Sequence, residues 1–161
     1  SAFAVNQFFM RKSFFSISTL AALVLLAFLP AASDGCGTGI QGHVYLVSGN
    51  QMPSPEEPPP VPKGFQTTLY IHELTNISQV TRQGQSAFYN AVNTPLVAEV
   101  NTNDKGYFKI KLKPGGYSLF VKKDGVYYSS QSDDKNNIYP VEVKEGQMTE
   151  VKFRANYNAV Y

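Results

Sequence analysis

The chain has 161 residues, 14 basic and 12 acidic side chains for a net charge of +2, and one cysteine. The length fits one folded domain. The near-balanced charge argues against a nucleic-acid binder, which needs a clustered basic surface to neutralise phosphates. A single cysteine excludes an intrachain disulfide. There is no tryptophan, and ten tyrosines and eleven phenylalanines recur in short runs broken by Gly, Pro, Asn and Asp. That composition suits strands and turns better than helices.

The first element is not part of the fold. Met10-Arg11-Lys12 precede an uncharged run, Ser13 to Pro30, followed by the small residues of Ala31 to Gly37. A positive start, an apolar run and a small-residue stretch make an export signal, expected as a helix over 10–35. The run is near the lower length limit for crossing a bilayer, so a retained anchor is the alternative. Residues 1–9 read as an upstream extension. Cys36 follows directly, behind Ser33-Asp34-Gly35. This stretch resembles the lipobox of bacterial lipoproteins, in the looser form of the Bacteroidetes type, with Asp34 where a small or aliphatic residue is usual. The resemblance implies cleavage before Cys36, a diacylglycerol on its sulfur, and residues 36–39 as a tether to the outer membrane or cell surface, with a periplasmic face as the other option. A free thiol beside an ordinary cleavage site is the alternative reading.

The remaining chain is large enough to bury roughly two thirds of its unfolded surface. Ile40 to Gly49 reads as the first strand, with Ile40, Val44 and Leu46 on one side and Gln41, His43 and Tyr45 on the other. Asn50 to Gly64 holds six prolines and reads as a stiff exposed loop. Phe65 to Leu74 is a second strand. Thr75 to Pro95 is too long for a hairpin turn and reads as an insertion with a short helical turn or a loose excursion. Leu96 to Asn101 is a third strand, with Leu96, Ala98 and Val100 facing in, and Thr102 to Gly106 a tight turn. Tyr107 to Lys113 alternates sharply, Phe108, Ile110 and Leu112 against Lys109, Lys111 and Lys113. Pro114-Gly115-Gly116 leads into an alternating strand with Tyr117, Leu119 and Val121 inward. A phosphate-cradling loop should instead feed a helix N-terminus. A short strand near Val126, a polar loop over 132–137, and a hairpin of 138–144 with 149–154 around Glu145-Gly146 follow. Val141, Val143, Val151 and Phe153 point inward there, and 156–161 form a tail. Seven or eight short strands at regular spacing predict an all-β, Greek-key β-sandwich over 40–155.

The run from Thr102 to Gly125 resembles the carboxypeptidase regulatory-like domain, a transthyretin-like (prealbumin-like) sandwich. The matching positions are Gly42 and Val44; Asp104, Gly106, Phe108 and Ile110; and Pro114, Gly115, Tyr117, Leu119 and Val121. The insertions at 50–64 and 75–95 depart from the pattern. The resemblance implies a transthyretin-like fold and a non-catalytic module attached to enzymes, transporters or surface proteins.

Chemistry-bearing residues are sparse. His43 and His72 lie on strands that the sequence allows to be neighbours sharing one face. Glu73 points away from His72, so the expectation is outward-facing histidines and no metal site. Asp133 and Asp134 lack the spacing of a calcium loop and read as a solvated turn. No cofactor fingerprint is present, and no catalytic residue is assigned. Tyr45 and Phe120 fall on the non-core parity of their strands and form a candidate interaction surface, unless the 75–95 insertion covers them. The expectation is a non-enzymatic, exported, lipid-anchored envelope protein serving structure, adhesion or protein interaction. Its partners are a membrane through Cys36 and an envelope protein or polysaccharide, not nucleic acid. A carbohydrate- or peptide-binding accessory of a larger complex is the alternative.

Overall fold

Residues 37–52 and 60–160 are described by the computed structural model, without the side chains of 158–160. They fall in one unit, Asp34–Tyr161. The expected export signal, Cys36 and residues 53–59 of the Pro-rich loop lie outside the described residues.

Eleven strands are found among the described residues: β1 Gly39–Asn50, β2 Lys63–Gly64, β3 Thr68–Glu73, β4 Val80–Arg82, β5 Phe88–Val92, β6 Leu96–Asn101, β7 Tyr107–Lys111, β8 Gly115–Lys123, β9 Val126–Tyr128, β10 Pro140–Val143 and β11 Met148–Val160. They form an all-β sandwich of a four-stranded and a seven-stranded sheet. In the smaller sheet β1 is central. It runs parallel to β11 on one edge and antiparallel to β7 and β2 on the other. The larger sheet has the order β4-β5-β9-β8-β3-β6, with β10 also on β8. The strand count exceeds the expected seven or eight because the 75–95 insertion contributes β4 and β5, and because Lys63–Gly64 adds to the edge of β1.

The core lies between the inner faces. Ile40, Val44, Phe108, Val151, Phe153 and Ala155 of the smaller sheet meet Leu69, Ile71, Leu119, Val121, Val141 and Val143 of the larger. Each large apolar side chain buried there is worth about 1.5–3 kcal/mol in water-exclusion energy. Two glycines of the family-like motif hold close backbone approaches. A Cβ on Gly42 would lie 1.8 Å from the Val151 carbonyl oxygen of the neighbouring strand. Gly106 has φ +76°, and a Cβ there would lie 2.2 Å from the Val44 carbonyl oxygen. Only glycine meets both demands at Gly106.

Three expectations need correction. The Glu145-Gly146 turn, expected to close a hairpin, does not join strands of one sheet; like the tight turn at 102–106 and the Pro114-Gly115-Gly116 segment, it changes sheets. Each carries the chain from one sheet to the other, since β7 and β11 lie in the smaller sheet and β6, β8 and β10 in the larger. The local turn chemistry is as expected: Asn103 Oδ1 accepts from the Lys105 and Tyr107 amides at 3.0 and 2.8 Å. Turn residues fix a reversal but not the layer the chain enters. Leu96 is 45 % exposed rather than inward, because β3–β6 pairing slips by one residue between Ile71 and His72. That bulge flips the parity of the strand end. Residues 156–160 are not a tail, since they continue β11 alongside β1.

The sheets are also tied along their β10–β11 side. The Tyr139 hydroxyl donates to the Lys152 carbonyl oxygen at 2.9 Å, and the Thr149 hydroxyl to that of Glu142 at 2.8 Å. Burial pushes the Tyr139 phenol up to about 12.

Candidate interaction surface

The two outward faces of the sandwich are chemically unlike. On β8 both parities are buried. Tyr117, Leu119 and Val121 enter the main core, and Ser118 and Phe120 face outward beneath a second layer. Phe120 is 0 % exposed and packs with Tyr89, Ile138, Tyr70, Val80, Val92 and Tyr127. Four of these come from segments that the insertion and the polar loop lead into. Thr75 to Pro95 is therefore an ordered hairpin: an Asn76-capped 3-10 turn at Ile77–Gln79, then β4 and β5. Its buried Tyr89 and half-buried Val80 and Val92 cover Phe120 on the outer face of the larger sheet, where Tyr70, Lys122 and Tyr127 stay half-exposed. The Phe120 half of the expected interaction surface is thus corrected, because the protein's own chain occupies that face.

His72 belongs to the same covered layer. The histidines are not neighbours: His43 is on β1 of the smaller sheet and His72 on β3 of the larger. Nor is His72 outward in the sense of solvated, being 3 % exposed. Its Nδ1 lies 2.9 Å from the Thr94 carbonyl oxygen. A carbonyl only accepts, so Nδ1 carries the hydrogen and Nε2 is the lone-pair nitrogen. Nε2 is buried without a hydrogen-bond partner in the protein, with the Phe120 and Tyr127 rings at centroid distances of 5.5 Å. The Thr94 hydroxyl shares a 2.6 Å hydrogen bond with Thr75, whose amide donates to Ser118 Oγ at 2.9 Å. This network pins both ends of the insertion to β3 and β8. The hydroxyls are engaged in holding the chain together.

Desolvation, with nearby Lys122, lowers the His72 pKa, against the Thr94 hydrogen bond that raises it. The sign for stability follows. Below the ordinary value of 6.5 the unfolded chain takes up a proton that the folded chain resists. Stability should therefore fall as pH drops through 6.5 and keep falling until the folded-state value is passed. Thermal unfolding between pH 7.5 and 5 should show this slope. His72→Asn, which keeps a donor toward Thr94, should flatten it; an unchanged slope would remove His72 as its source.

The smaller sheet presents a different face. Residues of one parity on β1, β7 and β11 point away from the core in register. Gln41 pairs with Lys109 and Glu150, His43 with Tyr107 and Lys152, and Tyr45 with Arg154. His43 and Tyr45 stack, with ring centroids 5.8 Å apart and planes inclined by 19°, and Tyr107 meets His43 edge-on at 5.3 Å. A line of aromatic rings thus runs along β1. Exposed Lys152 and Arg154 lie beside it on β11, and exposed Lys109 and Lys111 continue the face past its His43 end on β7. Glu150 is the acidic member of the face. At its β11 side, Tyr45, Val61, Pro62, Lys152 and Arg154 line a recess of about 260 Å³. Tyr45, the other residue of the expected surface, is half-buried, with cationic neighbours on β11 that its own strand does not announce.

No family model, curated protein or solved structure matches the chain. Among the described residues, no group of three or more His, Cys, Asp or Glu is gathered as a metal site would require. Asp133 accepts from the Lys135 and Asn137 amides at 3.0 and 2.7 Å and from the Asn137 side chain at 2.9 Å. Its oxygens organise the loop. Of the family-like positions, Val44, Phe108, Tyr117, Leu119 and Val121 are core residues, and Ile110 packs against them. Asp104, Pro114 and Gly115 are exposed in or beside the sheet-to-sheet turns.

Proposed function

We propose that the chain is a non-catalytic, lipid-anchored protein of the cell envelope. It carries a carboxypeptidase regulatory-like, transthyretin-like sandwich and engages its partner through the outward face of the four-stranded sheet. The observation that carries this reading is the contrast between the two faces. One is covered over Phe120 and His72 by the chain's own hairpin, with Tyr70, Lys122 and Tyr127 half-exposed beside it, whereas the other displays His43, Tyr45 and Tyr107 with Lys109, Lys111, Lys152 and Arg154 on the same face. The buried positions of Val44, Phe108, Tyr117, Leu119 and Val121, and the close approaches at Gly42 and Gly106, support the family resemblance. The export signal and the lipobox-like stretch ending in Cys36 support attachment to the outer membrane or cell surface. Covalent connection puts Cys36 three residues before β1, so an acylated Cys36 would hold the sandwich within roughly 10 Å of the bilayer surface.

A second reading is an accessory subunit that binds carbohydrate or peptide for a larger envelope complex. The line of aromatic rings on β1 favours it, since such rings stack on flat apolar ligand faces. The anchor is tested by growing cells on radiolabelled palmitate. The native chain should take up label in the membrane fraction, and Cys36→Ala should take up none. Equal labelling of the two would refute the anchor.

A further inference from the structure

Resting on the proposal that this face is the working surface, we propose that its ligand is an acidic polysaccharide lying along β1. Its sugar rings stack on His43, Tyr45 and Tyr107, and its carboxylates pair with the flanking cations.

Three observations lead there. The first is charge complementarity. Lys152 and Arg154 stand beside His43 and Tyr45, and Lys109 and Lys111 continue the face past the His43 end, against Glu150 alone among acidic residues of that register. In a chain of net charge +2, this concentrates positive potential on one face. The second is the form of the aromatic line. His43 and Tyr45 are two residues apart on one strand with nearly parallel rings, which repeats a stacking platform along the strand direction. A linear polymer of flat rings can follow such a repeat. The third separates sugar from peptide. Extended peptides bind sheets by adding a strand, through main-chain hydrogen bonds at an edge. β1 is central, with β11 along one edge and β7 and β2 along the other. Its main chain is committed, so a ligand over it must be held by side chains. Rings for stacking and cations for carboxylates are the groups on offer. Arg154 can meet a carboxylate with two parallel hydrogen bonds. The recess formed by Tyr45, Val61, Pro62, Lys152 and Arg154 gives one sugar ring a floor, a wall and two counter-charges.

The test is titration of the full chain, in non-ionic detergent and at low salt, with polygalacturonate, neutral dextran and poly-glutamate. The expected result is binding of polygalacturonate and not of dextran, weakening steeply with added salt. Arg154→Gln and Tyr45→Ala should each weaken it roughly tenfold, about 1.4 kcal/mol, and Lys135→Gln in the distant polar loop should leave it unchanged. Poly-glutamate bound as tightly, with Tyr45→Ala without effect, would overturn the sugar assignment and leave a cationic docking surface. No binding of any of the three polymers would also overturn it. Whether the face engages an envelope partner at all is then decided by retention on native envelopes, so the two failures are distinguishable.

Discussion

Phe120→Ala should lower the unfolding free energy by about 3–5 kcal/mol, the range for removing a large aromatic from a packed interior. Urea denaturation would measure it. The magnitude follows from where the ring sits. Phe120 is fully buried, with Tyr89 and Tyr127 centroids at 5.9 Å and His72 at 5.5 Å. These partners come from three different elements: β5, β9 and β3. Deleting the ring leaves a cavity beneath the hairpin and loses the contact that joins the hairpin to the sheet. The pinning network of His72, Thr94, Thr75 and Ser118 remains, so the expected loss is in packing, not in the hairpin's path. A surface aromatic held for ligand binding would behave differently. Its removal would change stability by less than about 0.5 kcal/mol. A change that small would mean that the outer face of the seven-stranded sheet is open, and the contrast between the two faces would fail.

The difference between Phe120 and Tyr45 shows what a single sequence carries. Both lie on the non-core parity of an alternating strand, and both read as outward. Parity gives the side of the sheet, and it was right for both. It does not say whether that side meets water. For β7 the outward parity is Tyr107, Lys109 and Lys111, and the two lysines announce solvent. For β8 the outward parity offers Ser118, Phe120 and Lys122, a mixture that fits either outcome. What covers Phe120 lies thirty residues earlier, in a segment without a clean period. The 75–95 insertion hides its strands because a 3-10 turn precedes β4 and the β4–β5 register shifts between Thr81 and Arg82. An alternation interrupted after two residues has no detectable period.

Layer assignment was illegible for a related reason. Asn103, Gly106, Gly115 and Gly146 announce reversals, and a reversal within a sheet uses the same residues as one between sheets. The cationic surroundings of Tyr45 were hidden by topology. Lys152 and Arg154 join His43 and Tyr45 through the parallel pairing of β1 with β11, which links the two ends of the domain. Parallel pairing leaves no local mark in sequence. The core residues of β7 and β8, Gly106 and the sandwich class were legible because each rests on strand period, turn chemistry or composition alone, whereas Gly42 was marked only by the family resemblance.

On the proposed function, the protein works through the outward face of the four-stranded sheet. The most direct measurement is retention of the purified full chain on isolated envelope fragments at low ionic strength. Two double variants, each lowering the net charge by two, make the comparison: Lys152→Gln with Arg154→Gln on the proposed face, and Gln83→Glu with Gln85→Glu on the exposed tip of the covering hairpin. Matching the charge change removes bulk electrostatics from the comparison, and all four positions are exposed, so stability should move by less than about 0.5 kcal/mol in either variant. The first variant should lose retention by roughly tenfold, as expected for two cations at a binding surface, and the second should match the native chain. Equal losses in the two variants, or a loss confined to the hairpin variant, would contradict the claim.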